Sequence, residues 1–183
     1  HRNAVHMLYA KDGQGLAKVG AKLTKLNDAQ LALSSIGQYD VAASPLQMAM
    51  VAAGIANDGV LMEPYLTKSV RAANLQTVWT HKDTPMSTPM TRESAKQLQQ
   101  MMVSVVNNGT GRNARISGVT VGGKTGTAQT SPDKPPYAWF VGWSDKPKVA
   151  VAVFVESSNT ERSEIAGGRL GAPIARDVIE ALR

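Results

Sequence analysis

The chain has 183 residues, with 20 Lys and Arg against 14 Asp and Glu, which gives a formal charge of +6. This length predicts one domain over residues 1–183, and a hydrophobic content of 43% excludes a disordered polar tail. The sequence has no cysteine, which excludes a disulfide framework and a cysteine nucleophile, and its basic residues are scattered, which favours a solvated surface over a nucleic-acid partner.

The start of the chain has no clear hydrophobic period. Residues 1–30 mix Gly13, Gly15 and Gly20 with scattered apolar positions, so we predict irregular structure there, with at most a short helix. The chain begins with His1 rather than Met, and no apolar stretch reaches the ~18–20 residues that would span a bilayer. We therefore expect a piece of a longer protein, with any membrane anchor upstream.

Two helices are predicted in the middle of the chain. Ser44-Pro45 is typical of a helix start, and the helix would run over Leu46–Ala56 to a stop at Asn57-Asp58-Gly59. Its predicted packed stripe is Leu46, Met50 and Ala53. Thr91 predicts the cap of a second helix, which Asn107-Asn108-Gly109 would end. The predicted stripe of that helix is Leu98, Met101, Met102 and Val105.

Between these helices, residues 60–80 predict short peripheral strands, with Pro64 at a strand entry and Asn74 at a turn. The last third predicts three longer strands, over 118–130, 137–144 and 148–156. Their short connections require an antiparallel meander. Ala172-Pro173 then opens a final helix, with Ile174, Val178 and Leu182 as its apolar stripe. The fold class is therefore α+β, an antiparallel sheet with flanking helices.

The segment around Lys124 has two possible functions. Gly118 to Thr125 fits the phosphate-binding pattern GxxxxGK[ST] letter for letter. A phosphate loop requires a strand before its first glycine and a helix from its lysine, however. Here Val119 and Val121 alternate as in a strand inside the loop, and Gly126 and Pro132 disfavour the helix. We therefore predict that the segment does not bind a nucleotide.

The second interpretation is the KTG strand of serine acyl-transfer enzymes that recognise penicillin. Lys124 would hold a substrate carboxylate, Thr125 and Thr127 would donate hydrogen bonds to it, and Gly126 would let the substrate backbone pass closely. An extended peptide would dock beside the strand by strand addition. Simple alternation puts Lys124 and Thr125 on opposite faces, so the four side chains share one cleft only if the strand twists or kinks.

Several ordered blocks resemble the second half of the transpeptidase domain of a class B penicillin-binding protein. The resemblance covers about Leu31 to Arg183, whereas residues 1–30 match poorly. The blocks are Ser34-Ser35-Ile36-Gly37-Gln38, Ser44-Pro45-Leu46-Gln47-Met48-Ala49, Ile55-Ala56-Asn57-Asp58-Gly59, Gly109-Thr110-Gly111, Gly123-Lys124-Thr125-Gly126-Thr127-Ala128-Gln129 and Ala138-Trp139-Phe140-Val141-Gly142. The fold implied is a β-lactamase/transpeptidase-like one, of which this chain holds an incomplete part.

The resemblance implies an enzyme that cross-links peptidoglycan stem peptides and binds β-lactams, without cofactor or metal, at the outer face of the bacterial cytoplasmic membrane. In this family a serine of an SxxK motif attacks the D-Ala-D-Ala carbonyl, and an SxN motif assists. Neither motif precedes Lys124, so we expect the catalytic residues upstream of His1, no catalytic residue in this chain, and no activity from the chain alone. The substrate-binding residues implied are Lys124, Thr125, Gly126 and Thr127.

Two segments fit the missing motifs by letters alone. Ser131-Pro132-Asp133-Lys134 fits SxxK but lies in a proline-rich connection, where no helix can present the serine. Ser157-Ser158-Asn159 fits SxN but is predicted to be a turn after a strand. We predict that neither is catalytic. Two alternatives stay open: a serine β-lactamase or β-lactam sensor of the same fold, and a non-catalytic transpeptidase-like scaffold.

Other residue patterns favour structural roles. His1, His6 and His81 have no metal-ligand spacing. Trp139, Phe140 and Trp143 could stack on bases or sugars, but core packing is favoured. Gly109-Thr110-Gly111 is predicted to be a helix-ending loop, although the resemblance implies that this loop lies near the cleft. Gly167-Gly168 is predicted to do no more than let the last loop turn.

Overall fold

A computed structural model describes residues 16–19, 22–25, 27–38, 41–128, 134–158 and 160–183. Near its start, strands β1 (Leu16–Val19) and β2 (Lys22–Lys25) pair antiparallel, and helix α1 (Asp28–Ser35) follows. The expectation of irregular structure is wrong for β1 and β2, whereas α1 is a short helix of the kind that the prediction allowed. Strands of four residues are too short to show a hydrophobic period in the sequence.

Helix α2 (Pro45–Ala56) has the predicted bounds. The Ser44 side chain accepts a hydrogen bond from the Gln47 amide, and the Gln47 side chain accepts one from the Ser44 amide, which forms a capping box. The predicted stripe is partly wrong, because Leu46 is 61% exposed. The buried side of α2 instead includes Ala52 and Ile55, since the sheet and the next long helix contact the helix there.

Two small antiparallel ribbons follow, as predicted for peripheral strands. Their strands are β3 (Leu61–Met62) paired with β6 (Pro85–Ser87), and β4 (Ser69–Arg71) paired with β5 (Thr77–Thr80). Asn74 lies in the predicted turn, where its side chain accepts a hydrogen bond from the Gln76 amide. Pro64 follows β3 rather than opening a strand, so that part of the prediction is wrong.

Helix α3 (Arg92–Asn108) confirms the second predicted helix. The Thr91 hydroxyl accepts a hydrogen bond from the Ser94 amide, and the helix ends at Gly109. Met102 is buried as predicted, but Met101 is exposed. The buried residues of α3 are Ala95, Met102 and Val106. Among the described residues, no helix is both long and apolar enough to cross a bilayer.

The main sheet is the predicted antiparallel meander. It consists of β7 (Val121–Ala128), β8 (Tyr137–Asp145) and β9 (Lys148–Val155), in that spatial order. Gly118 was predicted to open the first of these strands, but it has a φ of 73° and lies in a turn before β7. Residues 129 and 130, the predicted end of that strand, lie outside the described residues.

Helix α4 (Ala172–Ala181) packs on this sheet. Its predicted stripe is wrong, because Ile174, Val178 and Leu182 are 45%, 43% and 57% exposed. The buried residues of α4 are Ala172, Ala175 and Ile179. The buried face therefore combines two small residues with one large residue, so side-chain size alone does not identify it.

Two hydrophobic clusters lie on opposite faces of the main sheet. The first is centred on Phe140, which packs with Val106 and Ile179, and the second contains Trp143, Ile55 and Met102. Phe140 and Trp143 are three residues apart on β8, so their side chains point to opposite faces. The predicted core packing of these two aromatic residues is confirmed. Both clusters pack against the main sheet, whose first strand, β7, contains Lys124.

Candidate active site

The segment Lys124-Thr125-Gly126-Thr127 lies within β7, at the edge of the main sheet. β7 pairs with β8 on one side, and no described strand pairs with its other side. Lys124 therefore sits in the middle of a strand and not at the start of a helix, and the next described element is β8. This arrangement excludes the phosphate-loop alternative, because that loop requires a helix from the lysine.

The register of β7 on β8 decides which side chains share a face. Lys124 pairs with Val141, and Thr125 pairs with Phe140. The pairing continues without a shift through Gly126 to the end of β7, so the strand is not kinked there. The ammonium of Lys124 and the hydroxyl of Thr125 thus start from opposite faces of the strand. The free edge of β7 borders both faces, so a ligand lying along that edge is within reach of both.

Lys124 is exposed, and its ammonium has no acidic partner among the described residues. Its Nζ donates a hydrogen bond of 2.5 Å to the backbone carbonyl oxygen of Thr125. A neutral carbonyl leaves the positive charge uncompensated. The ammonium is therefore available to an anionic ligand that approaches the edge of β7.

Thr125 is hydrogen-bonded to a residue that was not among the predicted site residues. The Oγ1 atoms of Thr125 and Thr110 are 2.7 Å apart, within hydrogen-bond distance. Thr110 belongs to the segment Gly109-Thr110-Gly111, which ends α3 as predicted but also reaches the KTG strand. The signal in the sequence was the family resemblance, which implies that this loop lies near the cleft, but the resemblance did not identify Thr125 as the contact.

The glycine pair Gly167-Gly168 lies against the same region. A Cβ atom added at Gly167 would overlap the carbonyl oxygen of Trp139, and one added at Gly168 would overlap the carbonyl oxygen of Thr110. The carbonyl oxygen of Gly168 also accepts a hydrogen bond of 2.8 Å from Asn113 Nδ2. The prediction that these glycines only let the loop turn is therefore wrong. Because these two glycines have no side chains, the segment before α4 can contact the backbone of β8 at Trp139 and the backbone of the Gly109-Thr110-Gly111 loop.

The structure describes neither of the two letter matches to catalytic motifs completely. Ser131 to Asp133 lie outside the described residues, and so does Asn159. Ser157 and Ser158 follow the end of β9, which is the strand farthest from β7 in the sheet. Their rejection as catalytic residues therefore remains a prediction.

The remaining candidates have structural surroundings. Trp139 is half-buried and packs against Phe154 with ring centroids 4.6 Å apart. His81 stacks on Tyr65 with centroids 3.6 Å apart, and His1 lies outside the described residues with His6. In the described part of the chain, no group of three or more His, Asp or Glu residues could hold a metal ion.

The arrangement on β7 is suited to binding. It offers one cation, two hydroxyl groups and the backbone of a free strand edge to an extended ligand with a negative end. β7 itself contains no serine and no carboxylate. A serine nucleophile would have to come from another part of the protein.

Comparison with known proteins gives one consistent family. The penicillin binding protein transpeptidase domain matches residues 9–180. The peptidoglycan D,D-transpeptidase PbpA of Mycolicibacterium smegmatis is 42% identical over 158 residues, which are 84% of this chain and 32% of that protein. The chain thus spans about a third of the length of this relative.

Solved structures give the same result. The imipenem acyl-enzyme complex of penicillin-binding protein A from M. tuberculosis has a TM-score of 0.74 at 38% identity, covering 86% of this chain and 35% of that one. The penicillin G acyl-enzyme complex of the same protein has a TM-score of 0.77 at 34% identity, covering 99% and 42%. The mixed fold with an antiparallel sheet is therefore the fold of these structures.

Proposed function

The chain belongs to the penicillin-binding protein transpeptidase family, and we propose that it is the C-terminal portion of a class B peptidoglycan D,D-transpeptidase domain. The supporting observation is the exposed ammonium of Lys124, which has no acidic partner among the described residues and lies beside two threonines on the edge of β7 that no described strand covers. This is the chemistry that a KTG strand requires. The proposed ligands are stem peptides ending in D-Ala-D-Ala, and β-lactams.

The proposed role of β7 is to hold the terminal carboxylate of the substrate. Lys124 supplies the positive charge, and the hydroxyls of Thr125 and Thr127 donate hydrogen bonds to the carboxylate oxygens. Gly126 has no side chain, so the substrate backbone can pass close to the strand there. The unpaired edge of β7 provides backbone hydrogen-bonding groups that would align the peptide as an added strand.

The reaction itself requires a serine from the rest of the protein. Its oxygen would attack the carbonyl carbon between the two D-Ala residues, while a base takes its proton and passes it to the amine of the departing D-Ala. The product of this step is a serine ester and one free D-Ala. An amine of a second stem peptide would then attack the ester, forming the cross-link and releasing the serine. No step needs a cofactor.

The other edge of the sheet supports the proposal that more of the domain packs here. Among the described strands β9 pairs with β8 alone, and its residues Val149 to Val155 are seven consecutive apolar residues. Natural edge strands are usually protected by charges, proline or shortness. Continuous apolar strands are typical of sheet interiors. We propose that the upstream half of the domain covers β9, and that an anchor outside this chain holds the protein at the outer face of the cytoplasmic membrane.

The test is covalent labelling of the intact protein, including the residues upstream of His1, with a fluorescent penicillin. The proposal predicts a labelled serine upstream of His1 and no label on the 183-residue chain alone. Absence of label on the intact protein would refute the enzyme proposal and favour a scaffold. Rapid hydrolysis of the bound penicillin would instead identify a β-lactamase. A label on Ser131 would overturn its rejection as a nucleophile.

A further inference from the structure

Thr110 lies one residue beyond the cap of α3, and its side chain points to the KTG strand. Its Oγ1 is 2.7 Å from Oγ1 of Thr125, although fifteen residues separate the two in sequence. Thr110 is exposed and Thr125 is half-buried, so a ligand at the edge of β7 can reach this hydroxyl pair. No role follows for Thr110 from the KTG motif alone.

The chemistry of the ligand decides the direction of this hydrogen bond. A hydroxyl has one proton to donate and can accept two hydrogen bonds, whereas a carboxylate only accepts. If Thr125 donated its proton to Thr110, it would have none left for the carboxylate. With a carboxylate bound, Thr110 must therefore donate to Thr125, and Thr125 donates to the ligand. Hydrogen bonds in such a chain polarise and strengthen one another.

We propose that Thr110 is a positioning residue, which orients the Thr125 hydroxyl so that its proton points at the carboxylate of the ligand. The inference rests on the proposed function, because it requires a carboxylate at the KTG strand. Thr110 acts through Thr125 and needs no contact with the substrate.

The backbone around Thr110 is fixed from two sides. The amides of Gly109 and Gly111 both donate to the carbonyl oxygen of Val105, at 3.0 Å each. The carbonyl oxygen of Thr110 lies against Gly168, whose own carbonyl accepts the Asn113 hydrogen bond. These contacts hold the Thr110 hydroxyl in place before a ligand arrives. Because the hydroxyl is already ordered in the free protein, less entropy is lost when a ligand binds.

The experiment measures the second-order acylation rate of the intact protein by penicillin. Thr110→Val keeps the side-chain shape and removes the hydroxyl, so we expect a rate reduction of roughly 3- to 10-fold, on the scale of one hydrogen bond. Thr110→Ser keeps the hydroxyl and should recover most of the lost rate. Thr77→Val, on the exposed strand β5, is the matched control and should acylate like the wild type.

A double-mutant cycle separates positioning from a general structural effect. In a Thr125→Val background, Thr110→Val should cause no further loss, because the group that it orients is gone. The methyl ester of penicillin, which has no carboxylate, should acylate equally with Thr110 or Val at this position. If Thr110 merely stabilised the fold, Thr110→Val would slow acylation further in the Thr125→Val background, and it would slow acylation by the methyl ester as well.

The possible failures can be told apart. A wild-type protein that forms no adduct would refute the proposed function, and this role with it. A wild type that forms the adduct while Thr110→Val acylates at the same rate would refute the role of Thr110 alone. So would losses that add up in the double variant, or an equal loss with the methyl ester.

Discussion

Replacing Gly168 with alanine tests how tightly the last loop packs on the KTG region. Gly168 is buried, and a Cβ atom added there would overlap the carbonyl oxygen of Thr110 and lie 3.2 Å from its carbonyl carbon. These are backbone atoms, so a rotamer change cannot relieve the overlap. The Thr110 loop must move by roughly 1 Å to restore normal packing distances.

The size of the effect follows from this displacement. Overpacking a well-packed site costs about 1–3 kcal/mol of folding free energy. The hydrogen bond between Thr110 and Thr125 is 2.7 Å long in the structure. It is lost once its atoms separate beyond about 3.5 Å. Gly168→Ala should therefore lower the free energy of unfolding, measured by urea denaturation of the intact protein, and also slow acylation by penicillin.

Gly54→Ala is the matched control, since Gly54 is also buried but lies inside α2. A Cβ atom added there would lie 3.6 Å from Leu61 Cδ1, an ordinary contact. Alanine favours a helix over glycine by about 1 kcal/mol, so this variant should be as stable as the wild type or more stable. Equal stability of Gly168→Ala and wild type would refute the packing argument, as would equal losses from the two substitutions.

Two further predictions concern the fold. Ile179→Ala should lower the free energy of unfolding by about 2–5 kcal/mol, because Ile179 is fully buried. Ile174 is half-exposed, so Ile174→Ala should cost at most about half as much. Urea denaturation measures both losses, and a larger loss from Ile174→Ala would contradict the assigned buried face of α4. Burial raises the pKa of the Asp58 carboxyl, but hydrogen bonds from Gln99 and Arg92, with nearby positive charge, outweigh it and hold that pKa below its usual value. Ionised Asp58 therefore stabilises the fold above its unfolded pKa of about 4, and this contribution is lost as the pH falls through the lower folded pKa. The stability difference between wild type and Asp58→Asn should shrink on acidification to pH ~2, and a difference constant with pH would contradict the ion pair.

Helix ends were predictable because their signals are local. Ser44 and Thr91 cap α2 and α3 through amides three residues ahead, and the sequence contains all of that information. The buried faces were less predictable. In α4 the large residue Ile174 is exposed, whereas Ala175 and Ile179 are buried in the cluster that contains Phe140. A search for large apolar residues at helical spacing selects the wrong side of such a helix.

In the candidate site, too, the local features were predictable and the contacts between distant segments were not. The strand around Lys124 follows from alternation within a few residues, and β7 confirms it. The contact between Thr110 and Thr125 depends on the path of the chain between α3 and β7. The contact of Gly168 with Thr110 joins segments more than fifty residues apart. The resemblance implied that the Thr110 loop lies near the cleft, but no local pattern encodes these particular contacts, which depend on the folded path of the chain.

The most direct test of the central claim is the acylation rate of a Lys124→Ala variant of the intact protein. Removing a preorganised charge from a binding site should slow acylation by fluorescent penicillin about 10²-fold or more. Lys82→Ala, which removes another exposed lysine, on the β5–β6 connection, should leave the rate at the wild-type value. If Lys124→Ala also acylates at the wild-type rate, the ammonium on β7 does not hold the ligand, and the account of this site is wrong.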